Sequence, residues 1–106
     1  MAYTVIYQVY RKEGMSPEEF ADYWENVHGP IAAKLPNVQR YTNYAVSSAT
    51  DAYDPAPDGF TLLEFADEDA INAAMTSPEM GASGEDAGNF TRHFGVFSVK
   101  AIPVVG

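Results

Sequence analysis

Residues 3–11, Tyr3-Thr4-Val5-Ile6-Tyr7-Gln8-Val9-Tyr10-Arg11, decide the fold. The run is dense in β-branched and aromatic residues, which suit a pleated strand, and it ends at Gly14. Side chains alternate across a strand, so Tyr3, Val5, Tyr7 and Val9 share one face while Ile6 and Tyr10 take the other. A strand that is apolar on both sides has to be covered on both sides.

Working outward, Ser16-Pro17-Glu18-Glu19 predicts a helix start: Ser16 caps, Pro17 suits the first turn and Glu19 completes a capping box. Phe20, Trp24, Val27/His28 and Ile31 then recur at helical spacing as one apolar stripe. Gly29-Pro30 interrupts that run and Leu35-Pro36 ends it. Residues 38–46 read as a second strand, 51–59 as a Pro/Asp/Gly loop and 60–65 as a third strand entered by the Asp58-Gly59 turn. Asp67 caps a helix to about Met75, an irregular Gly-rich helical stretch follows from Ser77-Pro78 to near Phe90, and residues 92–102 form the last strand. No repeat, linker or low-complexity segment interrupts this order.

The order βαββαβ defines an α+β, ferredoxin-like chain: a four-stranded antiparallel sheet with its helices on one face. Such a sheet leaves its other face bare. Because the strands are oily on both sides and 106 residues make only one domain, spanning 1–106, the cover has to be a second chain. Two sheets facing each other in a symmetric homodimer satisfy that requirement.

Composition narrows the function. Fifteen acidic residues against six basic ones give a formal charge of −9, which repels nucleic acid and anionic membrane. With no cysteine, a thiol nucleophile, a disulfide framework and a thiolate metal site are excluded. The N-terminal residues read as a strand from the outset and lack the pattern of a signal peptide, and no apolar run reaches membrane-spanning length, so a cytoplasmic protein is expected. Fourteen aromatic residues exceed what a minimal core needs and point to an aromatic cavity or an interface.

His28 is the foremost candidate for chemistry. It shares the stripe of Phe20, Trp24 and Ile31 and so points at the sheet. Pro30 offers no N–H to the carbonyl of Asn26, and it steers Gly29 away from helical geometry, so a kink or break is expected just after His28. The negative pole of a helix end favours the charged imidazole, and burial among aromatics opposes it. That opposition suits a general acid or base, while capping of broken helix carbonyls in a core is the plainer alternative.

Tyr7, Tyr41 and Tyr44 stand on adjacent expected strands, where a phenol can donate to a substrate oxygen or simply serve as a strand former. Trp24 and Phe65 are expected as core walls that also line a pocket, and Asn26 as a ligand contact beside His28. Arg40 should point away from its neighbour Tyr41, His93 reads as a surface histidine, and Tyr53 is a candidate lid in the long loop. Gly81-Ala82-Ser83-Gly84 lacks the lysine and the preceding strand of a phosphate loop, two histidines supply no zinc ligand set, and no Ser/His/Asp grouping stands out. An enzyme built this way works without metal or nucleotide cofactor.

Residues 15–41 (MSPEEFADYWENVHGPIAAKLPNVQRY) resemble the EthD family through Ser16-Pro17-Glu18-Glu19-Phe20, Tyr23-Trp24, Val27-His28-Gly29-Pro30, Leu35-Pro36 and Arg40-Tyr41. The flanking strands fit the same layout. The resemblance implies a dimeric α/β barrel with a pocket between helices and sheet in each subunit. The family takes its name from a gene linked to bacterial ether degradation, and the fold is shared by muconolactone isomerases and methylisomerases, cofactor-independent monooxygenases and polyketide or pigment tailoring proteins. In the similar methylisomerases a helix-end histidine, a following-strand tyrosine and a first-strand tyrosine line the pocket, and they map onto His28, Tyr41 and Tyr7. The resemblance thus implies an isomerase- or monooxygenase-like enzyme for an apolar, aromatic or lactone-like metabolite. A non-catalytic carrier with the same pocket, or a structural partner in an oxygenase complex, are the alternatives.

Overall fold

The computed structural model describes residues 3–106, so Met1 and Ala2, part of the N-terminal reading above, lie outside the described residues. The elements run β1 (Tyr3–Arg11), α1 (Pro17–Tyr23), a π turn (Trp24–His28), α2 (Gly29–Ala32), β2 (Arg40–Ala45), β3 (Gly59–Phe65), α3 (Glu68–Met75), α4 (Pro78–Ala87) and β4 (Thr91–Val99). The four strands form one antiparallel sheet in the order β2-β3-β1-β4, the ferredoxin-like arrangement expected.

Local chemistry starts each helix. The Ser16 hydroxyl accepts from the Glu19 amide at 3.0 Å, and the Glu19 carboxylate accepts from the Ser16 amide at 2.9 Å. Two otherwise orphaned donors are thereby satisfied, a cap worth about 1 kcal/mol. Asp67 and Ser77 cap α3 and α4 in the same way, through the amides of Ala70 and Met80. The stretch expected to be irregular is therefore an ordinary helix, α4.

The expected break after His28 is not there. Residues 24–28 widen into a π turn in which the Gly29 amide donates to the Trp24 carbonyl, and Gly29 and Pro30 open α2 with helical backbone. Pro30 removes a donor as anticipated, yet the chain answers by widening the turn, and Gly29 tolerates helical geometry because it carries no Cβ. The consequence is the phase of the stripe. An α-helix overshoots by about 40° for every four residues, so Phe20, Trp24, His28 and Ala32 would drift by about 120° around a regular helix. The single wide turn absorbs most of that drift, and all four are buried while Val27 is exposed.

The helices cover one face of the sheet. There Val5, Leu35, Leu63, Phe65 and Ala74 form one core cluster, and Val9, Phe20, Trp24 and Phe90 form a second. Tyr7 packs against both and so sits at the seam between them. On the opposite face Leu62, Ile6 and Phe97 stand in one row across β3, β1 and β4. Phe97 is 50 % exposed there, and among the described residues no helix lies on that side of it.

Two strand ends differ from expectation. Asn37 turns the chain in the left-handed region at φ 65°, so Val38 packs on the core and β2 begins only at Arg40. The last strand stops at Val99, the partner of Thr4 at the start of β1, leaving Ile102 outside the sheet. The 51–59 loop is tied to β1 by Asp58, which accepts from the Arg11 amide at 2.9 Å and pairs with its guanidinium at 2.6 Å.

Candidate active site

The π turn aims His28 under the helix layer, where it is 6 % exposed and lies against the Phe90 ring at 4.7 Å between centroids. Its Nδ1 is 2.8 Å from Oδ2 of Asp86 on α4. The other carboxylate oxygen of Asp86 accepts from the Tyr23 hydroxyl at 2.7 Å and from the Asn89 amide group at 3.2 Å. Burial of this carboxyl, whose side chain is 11 % exposed, pushes its pKa up. The hydrogen bonds from Tyr23, His28 and Asn89, with the charge of His28, outweigh that effect and leave it below the usual carboxylate range.

An ionised Asp86 can only accept, so Nδ1 of His28 carries a hydrogen, and in the tautomer protonated at Nδ1 alone Nε2 presents a lone pair. Nε2 lies 3.5 Å from the hydroxyl of Ser83, one turn before Asp86 on the same helix. Three residues apart on a helix share a face, which is how α4 delivers both groups to one imidazole. His28 is therefore not at a helix end capping carbonyls. It is a buried imidazole oriented by a carboxylate, and the Ser/His/Asp grouping not visible in the sequence is present in the fold.

Beneath it a half-open pocket of about 100 Å³ lies between the helices and the sheet, lined mostly by apolar side chains. His28 and Trp24 reach it from the helix layer, Tyr7 and Tyr41 from the sheet, with Ser83 and Phe90 beside the imidazole. Burial raises the Tyr7 phenol, and burial followed by the proximity of Tyr7 pushes Tyr41 up to about 12. Both phenols are accordingly protonated donors at neutral pH. The Tyr7 hydroxyl contacts only a weak acceptor, Met75 Sδ at 3.8 Å. The site thus brings an imidazole, the carboxylate that orients it and two phenols together around a half-open, mostly apolar pocket.

Three expected pocket residues stand elsewhere. Phe65 is 0 % exposed and fully absorbed in the first core cluster, behind Leu63 on the same face. Tyr44 has the parity opposite to Tyr41 and is 53 % exposed on the bare face, opposite Phe60. Asn26 is rotated outward by the π turn and donates to Asp22 at 2.9 Å on the surface. Arg40 points outward at 4.0 Å from Glu64, and His93 is exposed with its ring 4.3 Å from Tyr10. Tyr53 is almost fully exposed and lines no part of the pocket, so it is not a lid in this conformation. Asp86 and Ser83 were the residues sequence reasoning missed. Their only local signal is the i, i+3 spacing within a capped helix. Among the described residues no three His, Asp or Glu side chains gather as a metal site requires, and no helix is long and apolar enough to cross a membrane.

The four-stranded antiparallel sheet with its helices on one face places this chain in the class of ferredoxin-like α+β folds. The EthD domain family matches residues 12–93, and the chain belongs to that family. An EthD family protein from Bacillus halodurans is 18 % identical, with a TM-score of 0.80 over 96 % of this chain and 100 % of that one. A dimeric ferredoxin-like protein of unknown function from Thermobifida fusca is 13 % identical, with a TM-score of 0.73 over 95 % and 92 %. SnoaB, a cofactor-independent oxygenase from Streptomyces nogalater, is 16 % identical, with a TM-score of 0.59 over 95 % of each chain. No curated protein sequence matches this chain.

Proposed function

We propose that this chain is one subunit of a homodimeric, cofactor-independent enzyme acting on a small, largely apolar metabolite, aromatic or lactone-like. His28 takes a proton through Nε2, Asp86 holds the ring and stabilises its charged form, and Tyr7 and Tyr41 donate to the oxygen on which charge develops. The observation that carries this reading is the pairing of His28 with Asp86 at 2.8 Å against an apolar pocket. Burying the Asp86 carboxylate costs desolvation that an apolar side chain of the same size would not, so its presence beside His28 favours a chemical role. At about 100 Å³ the half-open pocket is smaller than the roughly 150 Å³ cavity that encloses a benzene ring, so it fits a small group or one end of a longer molecule that extends through its mouth.

The homodimer follows from the bare sheet face, where the Leu62, Ile6 and Phe97 row would be sequestered by its symmetric copy. The Thermobifida fusca neighbour, a dimeric ferredoxin-like protein, agrees with it.

The test is incubation with a panel of aromatic and lactone metabolites in deuterated buffer, followed by mass spectrometry. Conversion or deuterium uptake by the native protein, abolished in His28→Ala while native mass spectrometry still detects the bound ligand, is the expected result. Turnover that survives in His28→Ala overturns the reading. Binding without turnover or exchange by the native protein would make it a carrier.

A further inference from the structure

The geometry points to Ser83 as a nucleophile activated by His28 and Asp86, so that the pocket cleaves small esters or lactones through a covalent serine ester. This rests on the reading of the pocket as a catalytic site and adds an activity to it. Three relations support the array. Asp86 orients the imidazole at 2.8 Å from behind, the imidazole lies with Nε2 3.5 Å from the Ser83 hydroxyl, and His28 and Ser83 both border the pocket. Nucleophile and base in contact, with the base oriented by a third group, is the arrangement that activates serine on unrelated folds, and the first contact is commonly loose before substrate arrives.

Helical serines usually turn their hydroxyl back to a carbonyl in the preceding turn, but this one is directed at the imidazole. Beside it Gly84 borders the pocket, and a Cβ there would meet nothing within 4 Å, so an acyl group has room next to the hydroxyl. Ser83 lies inside α4, where the backbone amides are committed to the helix. Stabilisation of the oxyanion therefore falls to side chains, and the protonated phenols of Tyr7 and Tyr41 are the donors that the sheet brings to the same space.

The step balances without any further reactant than water. Ser83 Oγ bonds to the acyl carbon as its proton passes to Nε2 of His28. The bond from that carbon to the leaving oxygen breaks, and the imidazolium returns the proton to the departing alkoxide. Water then attacks the serine ester, loses its proton to Nε2, and the carboxylic acid leaves as Ser83 is reprotonated.

The experiment uses p-nitrophenyl acetate and an alkyl fluorophosphonate on the intact protein, read by nitrophenolate release, whole-protein mass and peptide mapping. The expected result is an initial burst and one acyl or phosphonyl group per chain on the peptide that holds Ser83. The label disappears in Ser83→Ala, a change that raises helix propensity and should leave the fold intact. It persists as a thioester in Ser83→Cys, and it forms at least about 100-fold more slowly in His28→Ala. Absence of label from Ser83, attachment elsewhere, or equal labelling in His28→Ala overturns the inference. Deuterium uptake that is lost in His28→Ala but unchanged in Ser83→Ala would remove the serine step and leave the general-base reading standing.

Discussion

Nδ1 of His28 and Oδ2 of Asp86 stand 2.8 Å apart, although 58 positions separate the two residues along the chain. One arrives on the π turn that follows α1 and the other on the inner face of α4, so the contact exists only when both helical segments lie correctly on the sheet. Its strength can be separated from its geometry. In Asp86→Asn the side chain keeps its size but loses the charge that orients His28 and receives the Tyr23 hydroxyl. Urea denaturation should show a loss of about 1–3 kcal/mol. A double-mutant cycle with His28→Ala should return a coupling of about 0.5–3 kcal/mol, and strict additivity would mean that the pair does not interact.

The site also makes stability depend on pH at both extremes. The folded-state value of Asp86 is depressed, so its contribution is present above the ordinary carboxylate value of about 4 and is lost as pH falls through the lower folded value. Tyr41 has the opposite sign. Its folded-state value is raised to about 12, so its contribution is complete below about 10 and is lost as pH rises through the folded value. Thermal melts from pH 9 to pH 12 should lose on the order of 2 kcal/mol by this route. Tyr41→Phe should flatten that alkaline limb, and an unchanged limb would show that Tyr41 ionises as readily in the fold as in the open chain.

Gly59 opens β3 directly under Trp24. A Cβ at this position would clash with the edge of the indole ring and lie 3.1 Å from the Tyr44 carbonyl oxygen, with backbone on one side and a buried aromatic on the other. Gly59→Ala should therefore cost about 1–3 kcal/mol by overpacking and displace Trp24 from the pocket wall. Because Trp24 is the only tryptophan, its fluorescence reports the displacement directly. An unshifted emission maximum with native stability would refute the close approach.

The bare sheet face makes a separate prediction. Phe97 lies across Gly95 in the apolar row with Ile6 and Leu62. A charge placed there would be buried without a partner in a face-to-face homodimer but solvated in a lone subunit. Sedimentation velocity should find a dimer for the native chain and a monomer with an intact fold for Phe97→Glu. A native chain that sediments as a monomer at micromolar concentration would remove the dimer.

Much of this architecture was legible residue by residue. Ser16, Asp67 and Ser77 mark their helices because a capping oxygen acts on amides only two or three positions away. The parity of Tyr7 and Tyr41 placed both phenols on the helix side, since a strand's period of two leaves no choice. The same rule, applied to Tyr44, would have put it on the bare face with Arg40 rather than in the pocket. Phe65 shows a different limit. Parity gave its face correctly, but whether a side chain on that face meets a cavity or solid core depends on what lies above it, and above Phe65 lies core that includes Ala74.

From its sequence alone this protein determined its element order, its sheet with one core face and an apolar row on the other, its helix starts and the inward turn of His28. These follow from capping and periodicity, interactions that reach only a few residues along the chain. The tertiary structure decided the rest: the π turn that holds Phe20, Trp24, His28 and Ala32 in line, and the arrival of Asp86 and Ser83 at the imidazole. The contacts of Asp86 and Ser83 join segments more than fifty residues apart, and their geometry is set by how two helical segments settle side by side on one sheet, which no local pattern encodes.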